Sequence, residues 1–212
     1  SILVLEKIKP LPKTNVDVGI DPGLTTLATA VTSTGLKGKF NPAARSTLKA
    51  LSKCIDRLDM WRSKKVRGSS RYKLISKQIA KLWFRIRNIH SNIIHKVTKR
   101  LVEKFDRIHI ENTSVKNMSR KGGSRKRGLN RSIMNAAIGM MKQQLVYKAK
   151  WYQKQVVLVN ARNTSKTCND CGSIFKGLTL SMRKWKCVDC GAKHDRDFNA
   201  ARNILEMGYT TA

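Results

Sequence analysis

Two Cys-x-x-Cys pairs, Cys168/Cys171 and Cys187/Cys190, stand fifteen residues apart. Four thiolates at that spacing can close a tetrahedron around one Zn²⁺, and with no open position the metal would be structural. Each pair runs into a glycine, Gly172 or Gly191, as a tight metal knuckle favours. An accidental double pair is a poor alternative at this spacing. Redox use would need a lone pair opening a helix after a strand, which neither pair does. His194 could replace a ligand in principle, but four well-spaced cysteines leave it no vacancy. Trp185 and Phe175 are expected to pack the small ribbon.

Directly downstream the chain reads His194-Asp-Arg-Asp197-Phe-Asn199-Ala-Ala-Arg-Asn203-Ile204. Thirteen acids face 44 lysines and arginines, so the positions of the acids carry weight. Asp21 closes a predicted first strand, Glu111 closes a fourth, and Asp197 opens the last predicted helix. Strand ends and the helix starts beside them are where an open α/β sheet builds its site. Three hard oxygen ligands from distant segments can hold two Mg²⁺ ions about 3.5–4 Å apart. One ion would activate a water, the other would stabilise the leaving oxygen of a phosphodiester.

Each acid also has an ordinary explanation. Asp21 can form an Asx-turn before Pro22-Gly23, Glu111 can be an exposed strand end, and Asp197 can be a helix N-cap. Taken singly those explanations are preferred; their joint placement favours a metal site. Asp17 competes with Asp21 from the same strand face, and Asp195 competes with Asp197. His109 shares a face with Glu111, although a packed or solvated histidine is the simpler reading.

These groups must be positioned by a fold. With 212 residues and 41% hydrophobics the chain is globular, one compact domain with a small metal-stapled insert. The net charge of +31 calls for a polyanion, and nucleic acid, bound with steep salt dependence, is the expected partner. A membrane surface is the weaker choice because the basic residues are spread along the chain. There is no apolar run long enough to cross a bilayer and no signal peptide. Four of five cysteines belong to the ribbon, which suits a reducing compartment, and Cys54 is expected to be a packed thiol. A chain opening at Ser1 rather than methionine is expected to be part of something longer.

Strands are predicted at 2–8, 16–21, 27–32 and 36–40 from alternation and the turns between them. Leu48, Leu51, Ile55 and Leu58 place a helix over 43–64, and Ile75 to Val97 recurs at threes and fours for a second long helix. The two should form an antiparallel hairpin. Its sequence from Met60 to Val102 holds thirteen lysines and arginines and no acid, which suits a phosphate-tracking face. A strand follows to Glu111, then a basic, glycine-bearing loop over 116–131. In that loop Lys116, Arg120, Lys121, Arg125, Lys126, Arg127 and Arg131 are candidate nucleic-acid contacts, expected to order on binding. A helix over 132–154, a strand over 156–160, the ribbon and a last helix from Asp197 to about Met207 complete the order. Without its two insertions this is β-β-β-β-α-β-α, an RNase H-like α/β layout with a mixed sheet.

Gly19-Ile-Asp21-Pro-Gly23, Ile110-Glu111-Asn-Thr-Ser-Val-Lys-Asn-Met118, the ribbon with Thr167 and Trp185, and His194-Asp-Arg-Asp197-x-Asn199-Ala-Ala-x-Asn203-Ile resemble the three RuvC segments and zinc ribbon of TnpB proteins. These are encoded by insertion sequences and related to the type V CRISPR effectors. The resemblance covers nearly the whole chain from about residue 15. It implies an RNA-guided, Mg²⁺-dependent DNA endonuclease of transposition systems, with Asp21, Glu111 and Asp197 as its catalytic triad in preference to Asp17 and Asp195. It further implies a cytoplasmic protein of a prokaryotic cell, on the nucleoid when bound to DNA. The expected parts are a linker or N-terminal remnant at 1–14, a RuvC-like core at 15–163 with its helical insertion at 43–104, the four-cysteine zinc ribbon at 164–194, and a last RuvC segment at 195–212. Family members carry an N-terminal region that grips guide RNA, and only residues 1–13 can correspond to it. Guide RNA is therefore a partner expected of a fuller protein. The competing class is a nucleic-acid-binding zinc-ribbon protein, guided or not, that does not cut.

Overall fold

Val18 and Ile20 point to one side of a strand and Asp17, Gly19 and Asp21 to the other, and that strand, β1 (Asp17–Pro22), lies at the centre of the fold. The computed structural model describes residues 8–23, 26–40, 45–112, 138–160, 162–179 and 181–211. β1 pairs antiparallel with β2 (Ala28–Thr32), which pairs antiparallel with β3 (Lys37–Phe40). On its other edge β1 runs parallel to β4 (Arg107–Glu111), and β4 runs parallel to β5 (Gln155–Val159). The order β3-β2-β1-β4-β5 gives the mixed sheet expected from the sequence. The strand expected over 2–8 falls almost wholly outside the described residues, as do all seven basic candidates of the 116–131 loop.

Helices α1 (Arg45–Ser63) and α2 (Ser70–Lys104) form the predicted hairpin, closed around Ile55, Ile79 and Ile86. Ser69 caps α2 by accepting the Tyr72 amide at 3.2 Å. At 35 residues α2 is about 52 Å long. Its far half descends onto the sheet, where Ile94, Leu101 and Val102 meet Val18, Ile20, Ile108 and Ile110. Helix α3 (Ile138–Trp151) adds Met141 and Leu145 to the same core. It stops three residues short of the expected Lys154, because Gln153 turns left-handed at φ 55° and the Lys154 amide folds back to the Ala149 carbonyl.

The opposite face of the sheet is covered by α4 (Arg196–Thr211), which packs Ile204 against Val157 and Val159. It approaches β1 and β4 closely because both contact points are glycines. A Cβ on Gly19 would lie 2.2 Å from the Ala201 carbonyl oxygen, and one on Gly208 would lie 1.6 Å from His109 Nδ1. His109 is fully buried there, stacked edge-on to Tyr209, which settles it as a packing residue. Tyr209 donates to Asp17 at 3.0 Å, and Arg107 pairs with the same carboxylate at 3.0 Å. Helix α4 thus runs antiparallel to β1, its C-terminal end over Asp17 and its N-terminal end towards Asp21. Gly208→Ala is expected to destabilise the protein by roughly 3 kcal/mol, as overpacking of a filled core does. Urea denaturation measures this, and adding His109→Ala should recover much of the loss by removing the ring that clashes. A loss of equal size in both backgrounds would show that the contact is not the cause.

Candidate metal centres and the carboxylate site

The ribbon is a small hairpin, β6 (Lys184–Lys186) with β7 (Lys193–Asp195), facing the loop that bears the first cysteine pair. Both knuckles close in the same way. The Gly172 amide donates to the Cys168 carbonyl at 2.8 Å and the Gly191 amide to the Cys187 carbonyl at 3.1 Å. Both glycines are left-handed, at φ 78° and 74°, where a side chain would be strained. The four sulfurs gather within 4.8 Å of one another, with Cys168–Cys190 and Cys171–Cys187 each at 3.6 Å. This donor set can hold zinc. The thiols divide: the Cys190 amide and then the Ser173 hydroxyl hold Cys187 down to about 6, while, against the Ala192 amide, burial and the neighbouring thiols push Cys190 up to about 12. Cys54 stands apart, half-buried in the hairpin.

Behind the sulfurs, Trp185 is stacked on Phe175 at 5.3 Å and tilted against His194 at 4.6 Å, the packing expected of a ribbon too small for a core. His194 Nε2 lies 3.1 Å from Cys168 Sγ, within reach to donate to the sulfur. His194 thus joins Cys168 and Asp170 in a second donor group that overlaps the four sulfurs.

The ribbon is fastened to the sheet by asparagines of α4. Asn199 Nδ2 donates to the Thr167 carbonyl at 2.7 Å, and Asn203 Nδ2 donates to the carbonyls of Thr164 and Thr167 at 2.8 and 2.7 Å. Asn169 answers by donating its own amide to Asn199 and its side chain to Asn203, both at 3.1 Å. These contacts are buried or partly buried, where hydrogen bonds must be satisfied and removal of a partner is costly.

Asp21 ends β1, Glu111 ends the parallel neighbour β4, and Asp197 sits in the first turn of α4. Desolvation, then the charge of Glu111, then that of Asp197 push the Asp21 carboxyl up to about 8, against the pull of Arg196 and Arg183. Three distant segments thus bring their carboxylates near enough for the charges of Glu111 and Asp197 to add to the burial of Asp21. They are set wider than the ribbon sulfurs, which close within 4.8 Å. Thr164 Oγ1 donates to Glu111 at 3.4 Å, and Arg183 and Arg196 approach Asp197 at 3.4 and 3.5 Å.

Of the paired rivals, Asp17 is committed to Tyr209 and Arg107 at the far end of the same face. Asp195 is the helix cap: its Oδ1 accepts the amides of Asp197 and Phe198 at 3.1 and 3.3 Å. The capping role considered for Asp197 belongs to its neighbour. Thr164 was not among the residues singled out from the sequence, and a hydroxyl in a loop offers no spacing that could have marked it.

Residues 1–122 match the IS605 OrfB family model, described as "Probable transposase", and residues 139–204 match the "Cas12f1-like, TNB domain". A Streptomyces pristinaespiralis protein named "Putative RNA-guided DNA endonuclease" is 37% identical over 100% of this chain and 50% of its own length. "TnpB-like protein L79" of Acanthamoeba polyphaga mimivirus is 33% identical over 98% of this chain and 41% of the relative. The chain thus spans half or less of the length of these relatives. Among solved structures, a cryo-EM Cas12f1–sgRNA–target DNA complex aligns over 95% of this chain and 40% of that one, with a TM-score of 0.67 at 21% identity. That likeness is one of fold.

Proposed function

The chain belongs to the TnpB family, and from that membership we propose that it is the DNA-cutting part of an RNA-guided endonuclease of transposable elements. In this reading residues 15–163 and 195–212 form an RNase H-like (RuvC) nuclease core, interrupted by the helical hairpin at 43–104 and by a four-cysteine zinc ribbon at 164–194. Residues 1–14 lead in from a region of the longer protein that would grip the guide RNA. The substrate is DNA, met in the cytoplasm, with the basic residues at 116–131 and the acid-free stretch of the hairpin from Met60 to Val102 as phosphate-binding surfaces. Among the described residues no helix is long and apolar enough to cross a membrane.

One observation carries the reading: β1, β4 and α4 bring Asp21, Glu111 and Asp197 to one edge of the sheet, where burial first, and then the charges of Glu111 and Asp197, push the Asp21 carboxyl up to about 8. Such a set suits hard divalent cations, which relieve the repulsion, and the all-oxygen donors match Mg²⁺. Two Mg²⁺ ions held there would supply an activated water and a counter-charge for the leaving oxygen of a phosphodiester. The chain's own residues prepare that chemistry. Thr164 fixes the orientation of Glu111. Asp195 caps α4, so the Asp197 carboxylate remains available as a ligand. Arg183 and Arg196 offset part of the negative charge and put guanidinium groups where a DNA phosphate would approach.

The test is cleavage of single-stranded DNA with Mg²⁺, comparing the parent with Glu111→Gln. A rate loss of about a thousandfold is expected, the scale seen when one preorganised charge is removed from an active site. Equal rates would overturn the reading, as would silence of the parent domain within a chain of the relatives' full length. DNA binding without cleavage in that longer chain would assign the protein to the non-cutting class.

A further inference from the structure

The cross-strand row that carries Asp21 continues to a lysine. Ile20 pairs with Ile110, which sets Glu111 beside Asp21; on the other side Asp21 pairs with Thr29, and Thr29 with Lys39. Residues paired in this way share a face, so Lys39 stands on the side that α4 covers, two strands or about 10 Å from Asp21. Its strand, β3, is an edge of the sheet, where a lysine ordinarily serves to ward off further strands. This one is engaged instead. Lys39 Nζ lies 3.5 Å from Asp195 Oδ2 and 4.7 Å from the centre of the Phe198 ring. With the two side chains 38% and 30% exposed the ion pair alone is modest, and the ring adds to it.

Both partners flank the third carboxylate. Asp195 holds the first turn of α4 with one oxygen, Oδ1, which accepts the amides of Asp197 and Phe198 at 3.1 and 3.3 Å, and holds Lys39 with the other. Phe198 follows Asp197 in that turn. From the ribbon side the same turn is held by the Arg183 carbonyl, which accepts the Arg196 amide at 2.8 Å. The edge strand is thus its second support. We propose that Lys39 is a positioning residue of the carboxylate site: it moors the first turn of α4 to β3 and so sets where Asp197 stands relative to Asp21 and Glu111.

A mooring and a mere charge act with opposite signs. Lys39 is a cation near three carboxylates, so removing its charge alone would make the site more negative and tighten a divalent cation. Removing a mooring lets the turn drift and loosens the cation. Lys37 supplies the comparison. It occupies the same face of β3, lies farther from the Phe198 ring at 5.8 Å, and forms no ion pair among the described residues.

The inference rests on the nuclease reading, in which the carboxylates hold metal, so the test reads the turn and the metal separately and does not require cleavage. Before any Mn²⁺ is added, hydrogen exchange over residues 195–199 should quicken about two- to fivefold in Lys39→Met, the worth of an exposed ion pair with a cation–π contact, and stay unchanged in Lys37→Met. Electron paramagnetic resonance of added Mn²⁺ should then show binding about two- to fivefold weaker in Lys39→Met and no weaker in Lys37→Met. Lys39→Arg should bind Mn²⁺ as the parent does. Asp195→Asn keeps an oxygen for the cap and loses the charge, so beside it Lys39→Met should lose most of its effect. The proposal is overturned if Lys39→Met tightens Mn²⁺ or matches Lys37→Met, if exchange quickens while Mn²⁺ binding holds, or if the full loss persists beside Asp195→Asn. Glu111→Gln tells this failure from that of the nuclease reading. Where Glu111→Gln weakens Mn²⁺ binding and Lys39→Met does not, only the mooring is wrong. Where Glu111→Gln has no effect, the carboxylates hold no metal and both readings fall.

Discussion

An Asp21→Asn protein is expected to be more stable than its parent and to cut DNA at least about a thousandfold more slowly. Both effects come from one cause. Asp21 keeps a partly exposed edge, yet most of its surroundings are protein, and Glu111 and Asp197 add negative charge. Its carboxyl, ordinarily near 3.8, therefore holds its proton to about 8. The unfolded chain releases that proton near 3.8, so between the two values the folded state binds more protons and stability falls as pH rises. Below this window the group contributes no difference, and above it the cost levels off. Asparagine has the same shape and no charge, and the slope should vanish with it. The melting-temperature gap between variant and parent should be small near pH 4, widen to about pH 8 and then stay constant. With solvent screening at the exposed edge the full gap amounts to a few kcal/mol. Added Mg²⁺ should raise the parent's melting temperature most at pH 8 and above, and the variant's much less. Calorimetry across this range, with and without Mg²⁺, measures all of it. Equal stability of the two proteins at every pH would show that the carboxylates do not press on Asp21. Undiminished cleavage would remove Asp21 from the machinery. A site that costs stability and gives activity is a familiar bargain of active sites.

Much of this arrangement was legible in the sequence because it rests on local patterns. Period-two runs gave β1, β2, β3, β4 and β5 to within about a residue, and the leucine and isoleucine spacing of α1 and α2 gave the hairpin. The sulfur cluster was legible because its candidate donors are four identical residues in two matching pairs. Tertiary contacts were not. Asp195 and Asp197 are two residues apart and chemically identical, and only the amides reaching Asp195 Oδ1 reveal which one caps α4. Helix α4 runs four residues past the expected Met207 because Gly208, which reads as a stop, is there to admit the His109 ring. Gly19 in β1 similarly reads as a weak strand residue until Ala201 and Leu205 are found against it. Thr164 matters through its distance to Glu111, a contact across 53 positions that no spacing rule contains. What sequence patterns conveyed were the carboxylates and the elements that carry them; what they omitted were the close approaches that bring those elements together.

Removing the proposed zinc from the ribbon is expected to lower cleavage sharply while leaving the sheet folded. Six residues separate Cys190 from Asp197, and the last three strand residues before α4, Lys193–Asp195, belong to the ribbon hairpin. That hairpin has only a small core, Trp185 with Phe175, Leu178, Ala192 and the sulfurs, so its order is expected to depend on the proposed zinc, whose binding is worth about 10–16 kcal/mol in small zinc domains. Without metal the thiolates repel or take up protons, Trp185 loses its packing, and β7 no longer holds Asp195 at the head of α4. The rest of α4 stays, since Ile204, Ala201 and Gly208 are held by the sheet on the other side. The expected record is therefore divided. A chelator, or Cys187→Ser, should shift Trp185 emission to the red, lower cleavage at least about a hundredfold and leave most far-ultraviolet dichroism intact. Re-addition of Zn²⁺ to the chelated parent should restore both signals together; the serine variant should recover neither fully. Two results would separate the ribbon from the site. A protein that loses Trp185 packing and still cuts would show that Asp197 is placed by α4 and the sheet alone. One that keeps the packing and loses cleavage would show that chelation reached the carboxylate cations instead, and Cys187→Ser, which leaves those carboxylates untouched, decides between the two.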